Sequence, residues 1–181
     1  MKLKLLGMVL GACFIVSSAN AGFLIDPYAG MAMSKSTIDI ATNDDDTSST
    51  GAALGSRLGY SFILVSAGID YQMLSGLEDP QDESFDMTNM SAFVGVDLPI
   101  LLRFWAEYFL SSDIKGDTFD DGLDDITFKD GYGLGIGFTG LPFISINLEV
   151  ENLNYDIESG STEGDYSVVN TILSASLPLD F

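Results

Sequence analysis

The feature that most constrains this chain is a period-two alternation of apolar with polar or small residues, repeated in eight segments. The segment from Tyr132 to Phe138 shows it clearly, because single glycines separate its four large apolar residues. Successive side chains of a β-strand point to opposite faces, so this spacing places the apolar residues together on one face. The segments lie at about 23–34, 53–62, 65–73, 89–98, 102–110, 131–138, 144–151 and 173–181. The pattern predicts an all-β protein with eight strands.

The composition of the second face indicates where the apolar face points. The second face consists mainly of Gly, Ser, Asn, Asp, Arg and Glu, which would pack poorly as a hydrophobic core. Its run of alternating glycines suits a crowded lumen that other side chains cross. The segments are also close to the roughly 9–11 residues expected of tilted membrane strands. These observations favour a transmembrane barrel. A soluble lipocalin-like barrel with its apolar face inward is the alternative.

The connections between the segments alternate in length, as they do in up-and-down outer-membrane barrels. Three are short and apolar, around 62–64, 99–100 and 140–142, whereas four are longer and acidic. The longer connections cover about 35–51, 75–85, 111–130 and 156–165. Both chain termini then fall at the short-turn end, which requires an even number of antiparallel strands.

The first 21 residues predict a secretory signal peptide. Two lysines precede an apolar run that is too short to span a bilayer, and Ala19-Asn20-Ala21 has the small-x-small pattern of a cleavage site. Cleavage after Ala21 leaves one barrel domain, residues 22–181, with five cations against 27 acids and a formal charge of −22. The alternative is a lipobox ending at Cys13, but the apolar run continues past that residue.

Charge and composition exclude several function classes. The net charge of the whole chain is −20, which repels phosphate and disfavours nucleic-acid binding. The chain has no His, so no imidazole can serve as a base, a proton shuttle or a metal ligand. Its single Cys excludes a disulfide framework and a Cys-based zinc site. We therefore expect no enzyme and no resident cofactor.

The signal segment, the alternating strands and the chain end together resemble the small eight-stranded outer-membrane β-barrels, the OmpA/OmpX-like proteins and their generic outer-membrane relatives of Gram-negative bacteria. The most specific feature is the C-terminus, where alternate apolar residues precede a terminal aromatic residue. These residues are Leu173, Ala175, Leu177, Leu179 and Phe181. The resemblance implies that the barrel assembly machinery reads this signal during insertion. Pro178 departs from the pattern because it removes a ladder donor from the closing strand.

The polar face places several charges in a lumen that eight strands leave nearly filled, so a wide pore is not expected. If hairpin partners lie opposite one another, Arg57 meets Asp70 and Arg103 meets Asp97. We expect structural ion pairs, since buried charges are normally paired. A gate or proton path is the alternative.

Three further acids share this face, and the strands contain no other cation to match them. They are Glu107, Glu149 and Glu151. We expect them to be protonated, hydrated or bridged by a cation. Paired carboxylates can act as acid and base, but nothing in the sequence points to a substrate.

The long connections are dense in oxygen ligands, and the third contains a candidate cation site. Its residues are Asp117, Asp120, Asp121, Asp124 and Asp125. The stretch resembles an EF-hand loop but has Phe119 at a ligand position and Phe128 in place of the terminal Glu. A solvated, repulsive surface is the expected state of such charge runs. Capture of Ca²⁺ or Mg²⁺, bridging to lipopolysaccharide phosphates, is the alternative.

These patterns predict a non-enzymatic, monomeric outer-membrane barrel with long acidic extracellular loops. Its predicted role is structural, or is surface interaction or cation binding, and its surroundings are outer-membrane lipid and lipopolysaccharide. The alternative is a narrow channel or transport path for ions or small amphiphiles. A lipid-modifying barrel enzyme is disfavoured because the chain has no His.

Overall fold

The computed structural model describes residues 21–40, 43–78, 84–116, 125–159 and 162–181, nearly all of them in β-strands. The strands are β1 (Ala21–Ile40), β2 (Asn43–Phe62), β3 (Val65–Glu78), β4 (Ser84–Leu98), β5 (Leu102–Gly116), β6 (Asp125–Leu141), β7 (Ile144–Ser159), β8 (Thr162–Ser176) and β9 (Leu179–Asp180). Among the described residues, no helix is long and apolar enough to cross a membrane.

The sheet closes on itself. Each strand pairs antiparallel with its neighbours in chain order, and β1 pairs with both β2 and β8. The short strand β9 also pairs with β1 and continues the line of β8, so eight strand positions surround the lumen. Between β5 and β6 the ladder covers only Leu102–Tyr108 and Phe138–Tyr132, at the end near the short turns. Where the ladders run, closure pairs the backbone groups that an open sheet edge would leave free. The predicted eight-stranded antiparallel barrel is confirmed, with short turns at 63–64, 99–101 and 142–143.

The strands extend further from the short turns than the sequence predicted. The first hairpin is paired residue by residue from Ala21–Phe62 to Ile40–Asn43, whereas an irregular connection was predicted over 35–51. The predicted boundary followed the apolar residues. Ladder hydrogen bonds join backbone groups, however, so they continue through polar sequence beyond the apolar band.

The apolar face points outward, which confirms the predicted direction and excludes the soluble alternative. Leu134 and Tyr132 are 62% and 58% exposed, while Trp105 and Phe109 on the other face are 4% and 2% exposed. A soluble barrel would hide such residues in its core, because large exposed apolar patches mark contact with lipid or protein. The outer surface of the strands is therefore suited to an apolar environment and not to water.

The closing seam between β1 and β8 is interrupted at Leu177 and Pro178. Leu177 still donates a backbone hydrogen bond to the Pro27 carbonyl at 3.0 Å, but Pro27 has no N–H to return one. An apolar cleft of about 370 Å³ opens beside this break, lined in part by Ile144 and Ala175. Pro178 has no N–H either, and it lies between the end of β8 at Ser176 and the start of β9 at Leu179. The interruption of the closing strand that Pro178 predicted is therefore present.

The chain end keeps its predicted alternation across the break. The alternate apolar residues, Leu173, Ala175, Leu177, Leu179 and Phe181, are all exposed. Their reading by the assembly machinery stays a prediction. The predicted signal peptide, including Cys13, occupies residues 1–21, of which 1–20 lie outside the described residues.

Candidate functional site in the barrel lumen

Arg57 is the centre of an ionic network that crosses the lumen. Its guanidinium nitrogens lie 2.8 Å from Glu149 Oε2, 3.2 Å from Asp70 Oδ2 and 3.5 Å from Glu107 Oε1. Asp26 Oδ2 lies 3.7 Å away. Arg57 projects from β2, and the four acids project from β7, β3, β5 and β1. One buried side chain therefore ties together strands on opposite sides of the barrel.

Two aromatic rings hold the same guanidinium. The Arg57 Cζ lies 4.3 Å from the centre of a Trp105 ring and 4.8 Å from the Tyr28 ring. Trp105 Nε1 donates a 3.0 Å hydrogen bond to Glu149, and the Tyr28 hydroxyl donates to Asp70 at 3.1 Å. The rings thus contact the cation with their faces and its anionic partners with their polar groups. The two rings therefore fix the orientation of the Arg57 guanidinium, and the carboxylates compensate its charge.

The alternating glycines of β6 make room for this cluster. A Cβ atom added to Gly135 would lie 2.0 Å from Trp105 Cε2, well inside van der Waals contact. The same atom added to Gly133 would meet nothing closer than 3.5 Å. The prediction that other side chains cross the lumen over these glycines holds at Gly135.

Arg103 forms a second, smaller ionic group nearer the short turns. Its Nε donates to Asp97 Oδ1 at 2.7 Å and its Nη1 donates to Asp26 Oδ2 at 3.0 Å. Both predicted pairs, Arg57 with Asp70 and Arg103 with Asp97, are therefore present. Asp26 links the two groups and was not among the predicted lumen charges. Its even position on β1, opposite the odd outward-facing residues, was the signal that could have identified it.

The acids predicted to lack a cation divide into two groups. Glu107 and Glu149 both lie within ion-pair distance of Arg57, so the expectation that no cation remained for them was wrong. It failed because it counted only neighbouring strands, whereas Arg57 reaches across the lumen. Glu151 is held by neutral donors instead: Gln72 Nε2 at 2.7 Å and Asn170 Nδ2 at 2.9 Å.

A chain of uncharged side chains continues from Glu151 away from the short turns. Asn89 Nδ2 donates to Gln72 Oε1 at 2.9 Å, and the Ser112 hydroxyl donates to Asn89 Oδ1 at 2.5 Å. The Ser112 hydroxyl also lies 2.6 Å from the Tyr155 hydroxyl. These side chains come in turn from β3, β4, β5 and β7, so this row of hydrogen bonds also crosses the lumen.

Carboxylates outnumber cations in this interior. Among the residues that the structure describes, five buried acids face two arginines, and the acids are Asp26, Asp70, Glu107, Glu149 and Glu151. Within the described part of the chain, Asp26 Oδ1 and Glu107 Oε1 accept no hydrogen bond. The described ranges nevertheless contain no group of three acidic side chains placed to hold a metal ion. The predicted loop ligands at 117–124 lie outside those ranges, and only the backbone of Asp125 is described.

Solved structures of known proteins share this architecture. Neisserial surface protein A is 13% identical, with a TM-score of 0.50 and coverage of 86% of this chain and 96% of its own. Ail, the attachment invasion locus protein of Yersinia pestis, is 16% identical, with a TM-score of 0.52 and coverage of 87% and 99%. Ail in complex with the heparin analogue sucrose octasulfate is 14% identical, with a TM-score of 0.50 and coverage of 86% of this chain and 99% of its own. No family model and no curated protein matches the chain.

The chain has the fold of a small outer-membrane β-barrel. At these identities the likeness extends to the fold alone. It confirms the resemblance that the sequence suggested. In such barrels the short turns face the periplasm and the long hairpins face outward.

The half of the interior that lies away from the short turns contains an apolar core, which was not predicted from the sequence. Its residues are Ala32, Ala53, Leu74, Leu77, Met87, Phe109, Leu153, Tyr155, Tyr166, Val168 and Ile172. Tyr155 and Tyr166 pack with their ring centres 5.8 Å apart, and Phe128 packs edge-on against Tyr155 at 5.7 Å. The outer part of this barrel therefore resembles the inside of a soluble β-protein, with side chains in close contact.

Proposed function

We propose that this chain is a non-enzymatic surface protein of the bacterial outer membrane, exported by its N-terminal signal. In this proposal the barrel is a closed, rigid anchor that carries acidic hairpins outside the cell. Its surroundings are outer-membrane lipid and lipopolysaccharide, it acts as a monomer, and the assembly machinery reads the Phe181 end. The observation that carries the proposal is the network around Arg57, which fills the lumen from wall to wall.

A filled lumen argues against conduction as the main role. The Arg57 cluster blocks the periplasmic half, and a close-packed apolar core occupies the extracellular half. Ions would have to displace buried ion pairs, which is costly in a medium of low dielectric constant. The barrel therefore supports surface interaction better than transport.

Planar-bilayer recording tests this directly. We expect the mature protein to give no discrete conductance steps at moderate voltage, because the Arg57 network and the apolar core occupy the lumen between them. A variant in which Trp105 and Tyr28 are both alanine is the positive control, since it opens space around Arg57. Regular steps from the unaltered protein would overturn the closed-anchor proposal and favour the narrow channel.

The charge of the extracellular segments indicates the kind of partner. The segments 35–51, 75–85, 111–130 and 156–165 together contain nineteen acids and three lysines. Ail has been crystallised with a polyanion, but a surface charged like this one would repel such a ligand. We therefore propose a cationic partner, either a basic peptide or protein segment, or divalent cations held by the third of these segments, 111–130, which we call the third hairpin.

Binding to the protein in nanodiscs is the measurement. We expect a lysine-rich peptide to bind with an affinity that falls steeply as salt rises, and sucrose octasulfate not to bind. Replacing the five aspartates of the third hairpin by asparagine should weaken peptide binding. The control is a variant in which the three aspartates at 44–46 are replaced by asparagine, because it removes acidic charge from a different extracellular segment. Peptide binding that is insensitive to both variants and to salt would contradict the proposal.

Calorimetry with Ca²⁺ alone separates the two partner classes. If the third hairpin holds a cation, millimolar Ca²⁺ should release or absorb heat with the unaltered protein and not with the asparagine variant of Asp117, Asp120, Asp121, Asp124 and Asp125. Absence of heat would leave the cationic peptide as the proposed partner.

A further inference from the structure

The three short turns are apolar and exposed at the periplasmic end. Phe62 and Ile63 are 60% and 43% exposed, Ile100 and Leu101 are 65% and 51% exposed, and Phe143 is 88% exposed. The turn segments 61–65, 98–102 and 140–144 contain no charged residue. Turns that project into water normally consist of Gly, Pro, Asn, Asp and Ser. Something other than water therefore surrounds these turns.

The backbone conformation of the same turns also indicates that their apolar side chains make a favourable contact. Each turn contains one bulky residue in the left-handed region: Ile63 with φ 59°, Leu101 with φ 64° and Phe143 with φ 65°. Glycine and asparagine adopt this conformation far more readily than such side chains do, and a β-branched residue there is a clear outlier. All three turns thus keep a large apolar side chain where the backbone disfavours it. The apolar contact must offset that cost.

On some strands, among them β5 and β7, the outward apolar run is shorter than the band of an outer-membrane barrel. On β5, the outward apolar residues run from Leu102 to Leu110, which projects to about 20 Å for strands tilted by about 40°. On β7, the outward run from Ile144 to Val150 projects to about 15 Å. Outer-membrane barrels present a band about 25 Å tall. The apolar turns directly continue these strands and supply the missing height.

We propose that the periplasmic end of the barrel is immersed in the inner leaflet, with the turn side chains in contact with lipid at the boundary between headgroups and acyl chains. The free backbone groups of the turns prevent deeper insertion, because they need hydrogen-bond partners. Phe143 and Phe62 then act as aromatic anchors at this interface. The inference rests on the membrane location proposed above, and it identifies the lipid surface as the partner of the turns.

Depth-dependent quenching tests the inference and its premise separately. Phe143→Trp adds a reporter at a turn, Val94→Trp adds one in the middle of the outward band, and the single native Trp105 gives the baseline. In vesicles with brominated acyl chains, we expect both added signals to be quenched, and aqueous iodide to quench neither. An unquenched Val94→Trp would refute the membrane location. A quenched Val94→Trp with a Phe143→Trp reached only by iodide would refute the immersion of the turns.

Paired substitutions within one turn give an independent readout. Leu101→Asn relieves the left-handed backbone and removes an apolar side chain, whereas Ile100→Asn only removes the side chain. In lipid vesicles we expect Ile100→Asn to lower the folded-to-unfolded equilibrium constant about tenfold, and Leu101→Asn to lower it somewhat less. If the turn faced water, Leu101→Asn would stabilise the barrel and Ile100→Asn would be neutral. That result, or concentration-dependent dimers that protect the turns instead of lipid, would overturn the proposal.

Discussion

Replacement of Arg57 by methionine is expected to destabilise the folded barrel by about 3–5 kcal/mol, the range found when one partner of a buried ion pair is removed. The variant keeps the side-chain volume but leaves Asp70, Glu107 and Glu149 without their shared cation. Urea unfolding of the mature protein in lipid vesicles, followed by Trp105 fluorescence, measures the difference.

Arg103→Met is the matched control for the Arg57 substitution. Arg103 pairs with Asp26 and with Asp97, but the Asp97 side chain is 35% exposed and can be solvated after the change. Arg103→Met should therefore lower the free energy of unfolding clearly less than Arg57→Met does. Arg57→Lys should fall between the two, since an ammonium keeps the charge but cannot stack and bridge as a guanidinium does. Equal losses for Arg57→Met and Arg103→Met would show that Arg57 is not the centre of the lumen.

Gly135→Ala is expected to destabilise the barrel by about 1–3 kcal/mol, although it adds only one methyl group. The new Cβ would lie 2.0 Å from Trp105 Cε2, so the indole must move. Moving it disturbs both the stacking on Arg57 and the hydrogen bond to Glu149. The same unfolding experiment reports the loss, and a shift of the Trp105 emission maximum in the folded state reports the displaced ring.

Gly133→Ala controls for the effect of alanine in the same strand and on the same face. Its added Cβ would meet Glu107, Phe109 and Glu151 at 3.5–3.6 Å, which is ordinary contact. We expect no loss of stability and a gain of up to about 1 kcal/mol, because alanine loses less conformational freedom on folding than glycine. If Gly135→Ala were as harmless as Gly133→Ala, Trp105 would not be packed against β6 as the structure places it.

Local pattern was sufficient to predict the strands and the direction of their faces. Alternation in segments such as 132–138 identified both the strand and its outward residues, since the side-chain period of a strand is a property of a few neighbouring residues. The short apolar turns were predicted for the same reason. The ends of the strands were not, because pairing in 35–40 and 43–51 depends on backbone partners and not on apolar residues.

The hairpin register predicted from sequence reached only neighbouring strands. It paired Arg57 with Asp70 and Arg103 with Asp97, both of which are present in the structure. It missed the contact of Arg57 with Glu149, which is 92 residues away in the chain. It also missed the apolar core around Tyr155, since the inward residues of that half of the lumen come from all parts of the chain and form no local pattern.

The sequence by itself determined that this protein is a barrel with an apolar outer wall, because alternation, turn length and charge act over short stretches of chain. The tertiary structure alone decided which inward side chains meet. Closing eight strands brings together residues from strands that are far apart in the sequence, and the tilt of those strands sets their relative heights. For that reason the network around Arg57 exists only in the closed barrel, where β2 lies opposite β5 and β7 across the lumen.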